Sequence, residues 1–405
     1  MIVWIYIFLL FQTIYRIVGE KYNINEEELK KKFGYKVKLR HSKTNFFYFP
    51  PITELSNKNL KIPDIAFKEF YDKLRDHNST KLKTKEYYLN IVDSMVQWSQ
   101  YLKHNGIGLS INSKIENLVV IIHPLGDSSL FGLFLALDII NMNIPVLVYD
   151  LIGHGQSSIN VNVGHKKFQI LDFCAQLWDI LTYIGWFKEI EEDGIYTIYI
   201  PNKKEKRLIL YGHSLGGFLS VACSSLFPKR VYSVVISSPA GLIGEPDPKY
   251  KTLLRYSKAL DSMPKALKYI IFRTISCITS ENYKSIMTCS NIVNRIPLFY
   301  GNKYYELLSK SDVDIQFHWD NNDNITPLYR AINVLNKYFP DKILCLYNSN
   351  DHVSYISNRD YSEDLHIFID RLTRINHETS DGTHKVPEMS ERCKPITSVI
   401  GNIKY

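Results

Sequence analysis

Short, continuous apolar runs alternate along the chain with longer stretches in which apolar residues recur every three or four positions. Residues 118–122, Leu-Val-Val-Ile-Ile, suit a strand buried on both faces of a parallel sheet. Runs at 145–149, 208–211, 231–237, 315–319 and 343–347 read the same way, the last as the final strand. Between and after them, helical spacing predicts helices over 130–142, 168–187, 218–226, 328–338 and 361–375. Strands alternating with helices of these lengths argue an α/β fold with a mostly parallel central sheet flanked by helices. Residues 195–200 and the charged 202–206 add an extra strand and turn.

Elsewhere the pattern is weaker. Residues 20–80 are charged, broken by Pro50, Pro51 and Pro63, and read as a connecting arm with one helix near 64–76. From 85 to 104 apolar and polar residues alternate on both sides of Asp93-Ser94, which favours an antiparallel hairpin over an amphipathic helix. Residues 238–312 are helix-like without a strand between them. The organisation expected is thus a hydrophobic segment at 1–18, an arm at 19–84, a domain at 85–375 with a cap or lid at about 242–312, and a polar, disordered tail at 376–405.

Composition narrows the partners. The 405 residues carry a net charge of +8, with basic residues crowded near 30–40 and over 249–273. No nucleic-acid-binding motif accompanies the charge, so nucleic acid is set aside. An anionic membrane surface competes with a plain solvated basic face. In 249–273, seven Lys or Arg face one Asp, interleaved with Leu, Tyr, Ile and Phe. That mixture fits a lid over an apolar acyl pocket or an ordinary helical excursion equally well. Residues 2–18 are apolar and aromatic, without the basic start or small-residue cleavage site of a secretory signal. Uncleaved membrane attachment is the favoured reading, with the endoplasmic reticulum as a candidate site. Of the two sequons, Asn78-Ser-Thr80 and Asn324-Ile-Thr326, the second lies in the stretch that holds the candidate acid Asp323 and argues nothing about secretion. The six cysteines show no metal spacing and no disulfide framework; Cys174, Cys223 and Cys345 read as buried small hydrophobes. No metal, cofactor or obligate protein partner is implied.

The chemistry centres on Gly212-His-Ser-Leu-Gly216, placed between a predicted strand and a predicted helix. This is the G-x-S-x-G elbow in its proper context, with Ser214 exposed on a strained turn. A serine hydroxyl needs a base, and the base needs a carboxylate to fix its tautomer. Asp323 and His352 follow Ser214 in the order acid then histidine, each in a loop past a strand. Asp320 competes with Asp323 for the acid role, and Glu245 or Asp247 is a further candidate. The oxyanion donors expected are the backbone N–H groups of Leu215 and Leu125; Pro124 has none to give.

Together, His123-Pro-Leu-Gly126, Asp150-Leu-Ile-Gly-His-Gly-Gln-Ser157, Gly212-His-Ser-Leu-Gly-Gly217, Ser238-Pro-Ala-Gly241, Asp323-Asn-Ile-Thr-Pro327 and His352 resemble the α/β-hydrolase fold-1 family over about 85–375. Within it, Ser238-Pro-Ala-Gly and Asp351-His-Val-Ser-Tyr are similar to the branch acting on lysophospholipids, N-acyl phospholipids and cardiolipin. The resemblance implies a serine hydrolase cleaving carboxylic esters, of a monoacylglycerol or lysophospholipid class. Alternatives are an acyltransferase, a small-ester esterase, or a lipid-binding protein without catalysis. Some members of the branch carry H-x-x-x-x-D at the histidine; here the fifth residue past His352 is Ser357, which counts against acyl transfer.

Overall fold

In the computed structural model, residues 34–39, 42–51, 85–104, 111, 115–159, 169–192, 195–199, 206–242, 300–348, 352, 359–374 and 388–400 are described, with isolated positions between 255 and 298. The strands are β1 (Tyr35–Lys38), β2 (Ser42–Phe49), β3 (Asn117–Ile122), β4 (Val146–Tyr149), β5 (Ser158–Ile159), β6 (Lys188–Glu192), β7 (Ile195–Tyr199), β8 (Arg207–His213), β9 (Ser233–Ser237), β10 (Asp314–Asp320), β11 (Ile343–Tyr347) and β12 (Cys393–Pro395). The helices are α1 (Lys85–His104), α2 (Ser129–Asn141), α3 (Ile170–Tyr183), α4 (Leu215–Leu226), α5 (Asn302–Ser309), α6 (Leu328–Tyr338), α7 (Arg359–Arg374) and α8 (Ile396–Ile400).

One sheet organises the chain, in the order β1-β2-β4-β3-β8-β9-β10-β11-β12, with β5 beside β2. The strands from β4 to β11 pair in parallel. Antiparallel β2 and β12 flank them. Successive residues of a strand face opposite sides. Leu118, Val120 and Ile122 therefore pack with α3, α4 and α6, while Val119 and Ile121 pack with α1, α2 and α7. Both faces of the parallel strands are covered, which is why those runs read as continuously apolar. β6 and β7 form a separate two-stranded sheet.

Four expectations are corrected. Residues 85–104 form helix α1, not a hairpin. Val92, Met95, Val96, Ser99 and Leu102 are buried at helical spacing, and Asp93-Ser94 lies beside that stripe rather than in a turn. The arm at 19–84 contains β1 and β2. β2 escaped the pattern because its polar residues Ser42, Thr44 and Asn45 are fully buried and hydrogen-bonded. The tail at 376–405 is not wholly irregular, since 393–400 supply β12 and α8, and β12 follows β11 in the sheet. Cys345 is no isolated hydrophobe but is disulfide-bonded to Cys393. Cys174, Cys223 and Cys289 are buried.

The expected location on a membrane is likewise not upheld. No helix among the described residues is long and apolar enough to cross a membrane. Residues 1–33, with the hydrophobic segment at 1–18, lie outside the described residues, as do the sequon at Asn78, the helix expected near 64–76, Glu245, Asp247 and most of the cap at 242–312.

Candidate active site

β8 runs straight into Ser214, and α4 begins at the next residue. Ser214 has φ 53° and ψ −114°, a region that L residues rarely adopt. Such a conformation costs about 1–3 kcal/mol and persists only where the surroundings impose it. Here the Ser214 N–H donates to Ser237 O at 2.9 Å, while Phe218 and Ala240 donate to Ser214 O, each at 3.0 Å. A side chain at Gly212 would strike the backbone of Gly216, and one at Gly216 would strike the carbonyls of Ile122 and His123. Glycine at both positions therefore lets β8 and α4 cross closely and brings the first turn of α4 against the end of β3.

That contact joins the two expected oxyanion donors. Leu215 opens α4, where backbone N–H groups have no partner within the helix. Leu125 sits in the turn after β3, beside Gly126 at φ 79°. His123 braces this turn. Its Nδ1 donates to Pro124 O at 2.7 Å, and its Nε2 accepts the Leu151 N–H at 2.9 Å. Acceptance at Nε2 requires the neutral ring, and burial pushes its pKa down to about 4.

Asp150 is the hub beneath these loops. Oδ1 accepts Ser129 N–H at 2.7 Å and the Ser129 hydroxyl at 2.6 Å. Oδ2 accepts the Asn45 amide at 2.9 Å and Gln156 N–H at 2.7 Å. A side chain at Gly155, φ +50°, would run into this carboxyl. The Asp150–Ser157 block is thus a structural buckle tying β2, β4 and the start of α2.

Asp323 and His352 meet, with His352 Nδ1 2.7 Å from Asp323 Oδ2 and both side chains buried. Asp323 Oδ1 accepts the N–H groups of Ile325 and Thr326, each at 2.8 Å. The Thr326 hydroxyl lies 2.8 Å from Oδ2 and 3.0 Å from Ser238 O, and can donate to one at a time. Burial works to raise the Asp323 pKa, but the charge and hydrogen bond of His352 and the bonds from Thr326 outweigh it and hold the carboxyl below its ordinary range. Donation from Nδ1 leaves Nε2 as the basic nitrogen. The His352 ring lies 4.7 Å, centroid to centroid, from that of His213, the residue before Ser214. Burial lowers the His213 pKa well below normal, with the neighbouring His352 adding to the effect. Its Nδ1 is 3.0 Å from Ser237 Oγ.

Asp320 ends β10, is fully buried, and accepts the Asn322 N–H at 2.9 Å. Sequence reading singled out neither Thr326 nor His123 for these bracing roles. The Asp-x-x-Thr spacing of an Asx-type turn was the available signal for Thr326. Among the described residues, Cys345, Asp364 and Cys393 are close enough to share a metal, but as a disulfide the sulfurs offer no thiolate ligands.

A strained serine between a parallel strand and a helix, at the centre of a sheet of this order, is the architecture of the α/β-hydrolase fold. Residues 113–291 match the family model described as serine aminopeptidase, S33. The chain is 30% identical over 152 residues to the 1-acylglycerol-3-phosphate O-acyltransferase ABHD5 of Sus scrofa, covering 37% of this chain and 35% of that protein. It is 29% identical over 153 residues to the mouse protein of the same name, with the same coverage. The chain therefore matches only about a third of the length of these relatives. Among solved structures it is similar to the naproxen esterase (carboxylesterase NP) of Bacillus subtilis, with TM-score 0.48, 13% identity, and 87% and 98% of the two chains covered. The carboxylesterase CesB of the same organism gives TM-score 0.48, 14% identity, and 89% and 97% coverage.

Proposed function

We propose that the chain is a serine hydrolase that cleaves carboxylic esters, with lipid esters of the monoacylglycerol or lysophospholipid class as its substrates. Ser214 attacks the acyl carbon while His352 Nε2 takes its proton. Asp323 holds His352 in the tautomer that allows this, and the N–H groups of Leu215 and Leu125 receive the oxyanion. The alcohol leaves with the proton returned by His352, and water then releases the acyl group by the same steps in reverse. The observation that carries the reading is the 2.7 Å Asp323–His352 pair, whose imidazole lies 4.7 Å from the tilted ring of His213, the residue preceding a strained Ser214. The lipid assignment is supported by the apolar and basic mixture of 249–273.

The printed name of the ABHD5 relatives supports a second reading, acyl transfer to a 1-acylglycerol-3-phosphate. One experiment separates the readings. Purified protein and Ser214→Ala are given monoacylglycerols, lysophospholipids and short p-nitrophenyl esters, with and without a lysophosphatidic acid acceptor. Free fatty acid from long-chain esters, lost in Ser214→Ala, is the expected result. Product accumulating only with the acceptor would favour transfer, and release from short esters alone would remove the lipid assignment.

A further inference from the structure

The loops bearing Asp323 and His352 spring from neighbouring strands. β10 ends at Asp320, three residues before Asp323, and β11 ends at Tyr347, five before His352. Beneath these ends runs a buried polar chain. Asp364 on α7 is fully buried, and Tyr347 donates its hydroxyl proton to Asp364 Oδ2 at 3.1 Å. The Tyr347 oxygen is also 2.8 Å from His318 Nδ1 and, with its own proton committed, accepts there. His318 Nε2 is then free to accept the Gln316 amide at 2.8 Å. The ring is neutral, in keeping with burial that pushes its pKa down to about 3. The same Gln316 amide nitrogen lies 3.3 Å from Cys345 Sγ.

Cys345 is bonded to Cys393, its directly opposite partner on the edge strand β12. The preceding residue, Arg392, sets Nε 3.3 Å from Asp364 Oδ2 and reaches Asp360 at 3.4 Å and Glu363 at 3.9 Å. Asp364 Oδ1 has no hydrogen-bond partner among the described residues. A buried carboxyl needs compensation, and Arg392 and Tyr347 are the groups that supply it on Oδ2. One short edge segment therefore secures, through Asp364, the end of the strand that leads to His352.

We infer that Cys345–Cys393 and Arg392 form a redox-controlled clasp that positions His352 on Asp323. The inference rests on the reading of Ser214, Asp323 and His352 as the catalytic set. A dithiol reductant passes two electrons and two protons to the bond; Cys345 and Cys393 become thiols and the reductant becomes its cyclic disulfide. β12 is then held by backbone bonds alone, its three register pairs to β11, Leu346 N–H to Arg392 O and Ile396 N–H to Lys342 O, and the Arg392 side chain loses its fixed place on Asp364. Asp364 loses its guanidinium, the Tyr347 hydroxyl is left bonded to an uncompensated buried carboxyl, and the resulting shift at the end of β11 disturbs the seating of His352 on Asp323. Arg392 and the cysteines are positioning residues and touch no reacting atom.

The test compares oxidised protein, protein reduced with dithiothreitol, and Cys393→Ser. A chelator is present throughout, because the freed thiols and Asp364 could share a soft divalent cation. Thiol counting with a maleimide verifies two new thiols. Three readouts are taken: ester hydrolysis, amide hydrogen exchange, and the downfield proton resonance of His352 Nδ1–H, assigned by its loss in Asp323→Asn. Reduction is expected to shift or broaden that resonance and to lower kcat roughly tenfold to a hundredfold with KM within about twofold. Exchange protection should fall in β11 and β12 while β8 and α4 stay protected. Cys393→Ser should match the reduced protein and ignore dithiothreitol.

An unchanged Nδ1–H resonance and kcat in protein with both thiols counted would overturn the clasp. So would joint loss of protection in β8, α4 and β11, which would make the disulfide a staple of the whole fold. Absence of Ser214-dependent hydrolysis in the oxidised protein would instead sink the hydrolase reading, and the resonance and exchange data would still decide the clasp.

Discussion

Replacing Asp323 by asparagine changes one atom and leaves the shape intact, so its effect can be worked out from the contacts. Oδ1 of Asp323 is fixed by two backbone donors, Ile325 and Thr326 N–H, each at 2.8 Å. In the Asp323→Asn variant the amide oxygen must stay at that position, because an NH₂ there would face two N–H groups. The NH₂ is then forced to the Oδ2 position, 2.7 Å from His352 Nδ1 and 2.8 Å from the Thr326 hydroxyl. A donor facing Nδ1 makes Nδ1 the acceptor and sends the imidazole proton to Nε2. In the proposed mechanism His352 could then not take the Ser214 proton. Such a tautomer reversal in a serine–histidine–aspartate site costs about 10⁴ in kcat, which is about 5 kcal/mol of barrier. We predict a fall in kcat of about 10³ to 10⁴, little change in KM, and an unaltered circular dichroism spectrum. Steady-state hydrolysis of a p-nitrophenyl ester supplies the measurement, with Asp320→Asn, expected to keep kcat within about tenfold, as comparison. An Asp323→Asn enzyme retaining more than a tenth of its kcat would refute the reasoning, as would an equal or larger loss in Asp320→Asn.

Other consequences follow from the same contacts. Gly216→Ala would drive a methyl group into the Ile122 carbonyl, and we expect about 3 kcal/mol or more of destabilisation together with loss of hydrolysis, read by urea titration and ester assay. Asp150→Ala strands buried donors on Ser129 and Asn45, removes the acceptor of the Gln156 N–H, and should lower unfolding free energy by about 3–5 kcal/mol in the same titration; a change under about 1 kcal/mol would contradict the buckle. His123, His154, His213 and His318 are buried with pKa values depressed below 6.5, to about 4, about 3, well below normal and about 3. The unfolded chain therefore binds more protons than the folded one beneath pH 6.5. Stability from these groups is complete above that pH and is lost as pH falls toward the folded values, by about 1.4 kcal/mol per histidine per pH unit. Asp323, held below its ordinary range, stays ionised in the fold throughout that window and adds its own loss only at still lower pH. Melting temperatures should hold from pH 8 to 6.5 and drop steeply by pH 5; a flat profile would contradict neutral burial.

Much of the candidate site's geometry was legible because its residues sit in local motifs. The Gly212–Gly216 spacing encodes a strand-to-helix crossing that the clash at each added Cβ explains. Asp323 and His352 were found by order and by their place after strands, since loops at the carboxyl ends of parallel strands converge on one edge of the sheet. What escaped depends on pairing that no local pattern records. β2 hides polar residues in a core position because Ser42 and Thr44 bond each other, Thr44 accepts the Gln176 amide of α3, and Asn45 donates to Asp150. Cys345 meets Cys393 only because 48 residues later the chain returns to add an edge strand. Helix α1 was misread since an alternating pattern and a helical stripe share several positions, and only burial of Val92, Met95, Val96 and Leu102 separates them.

The central claim is that Ser214 is an activated nucleophile. Fluorophosphonate labelling of the wild type, Ser214→Ala and His352→Ala, followed by mass spectrometry of the modified peptide, tests it most directly. The account predicts one phosphonyl group on Ser214, none on Ser214→Ala, and labelling slowed by at least about a hundredfold in His352→Ala. A folded wild type that takes no label, or takes it at another serine, would contradict it.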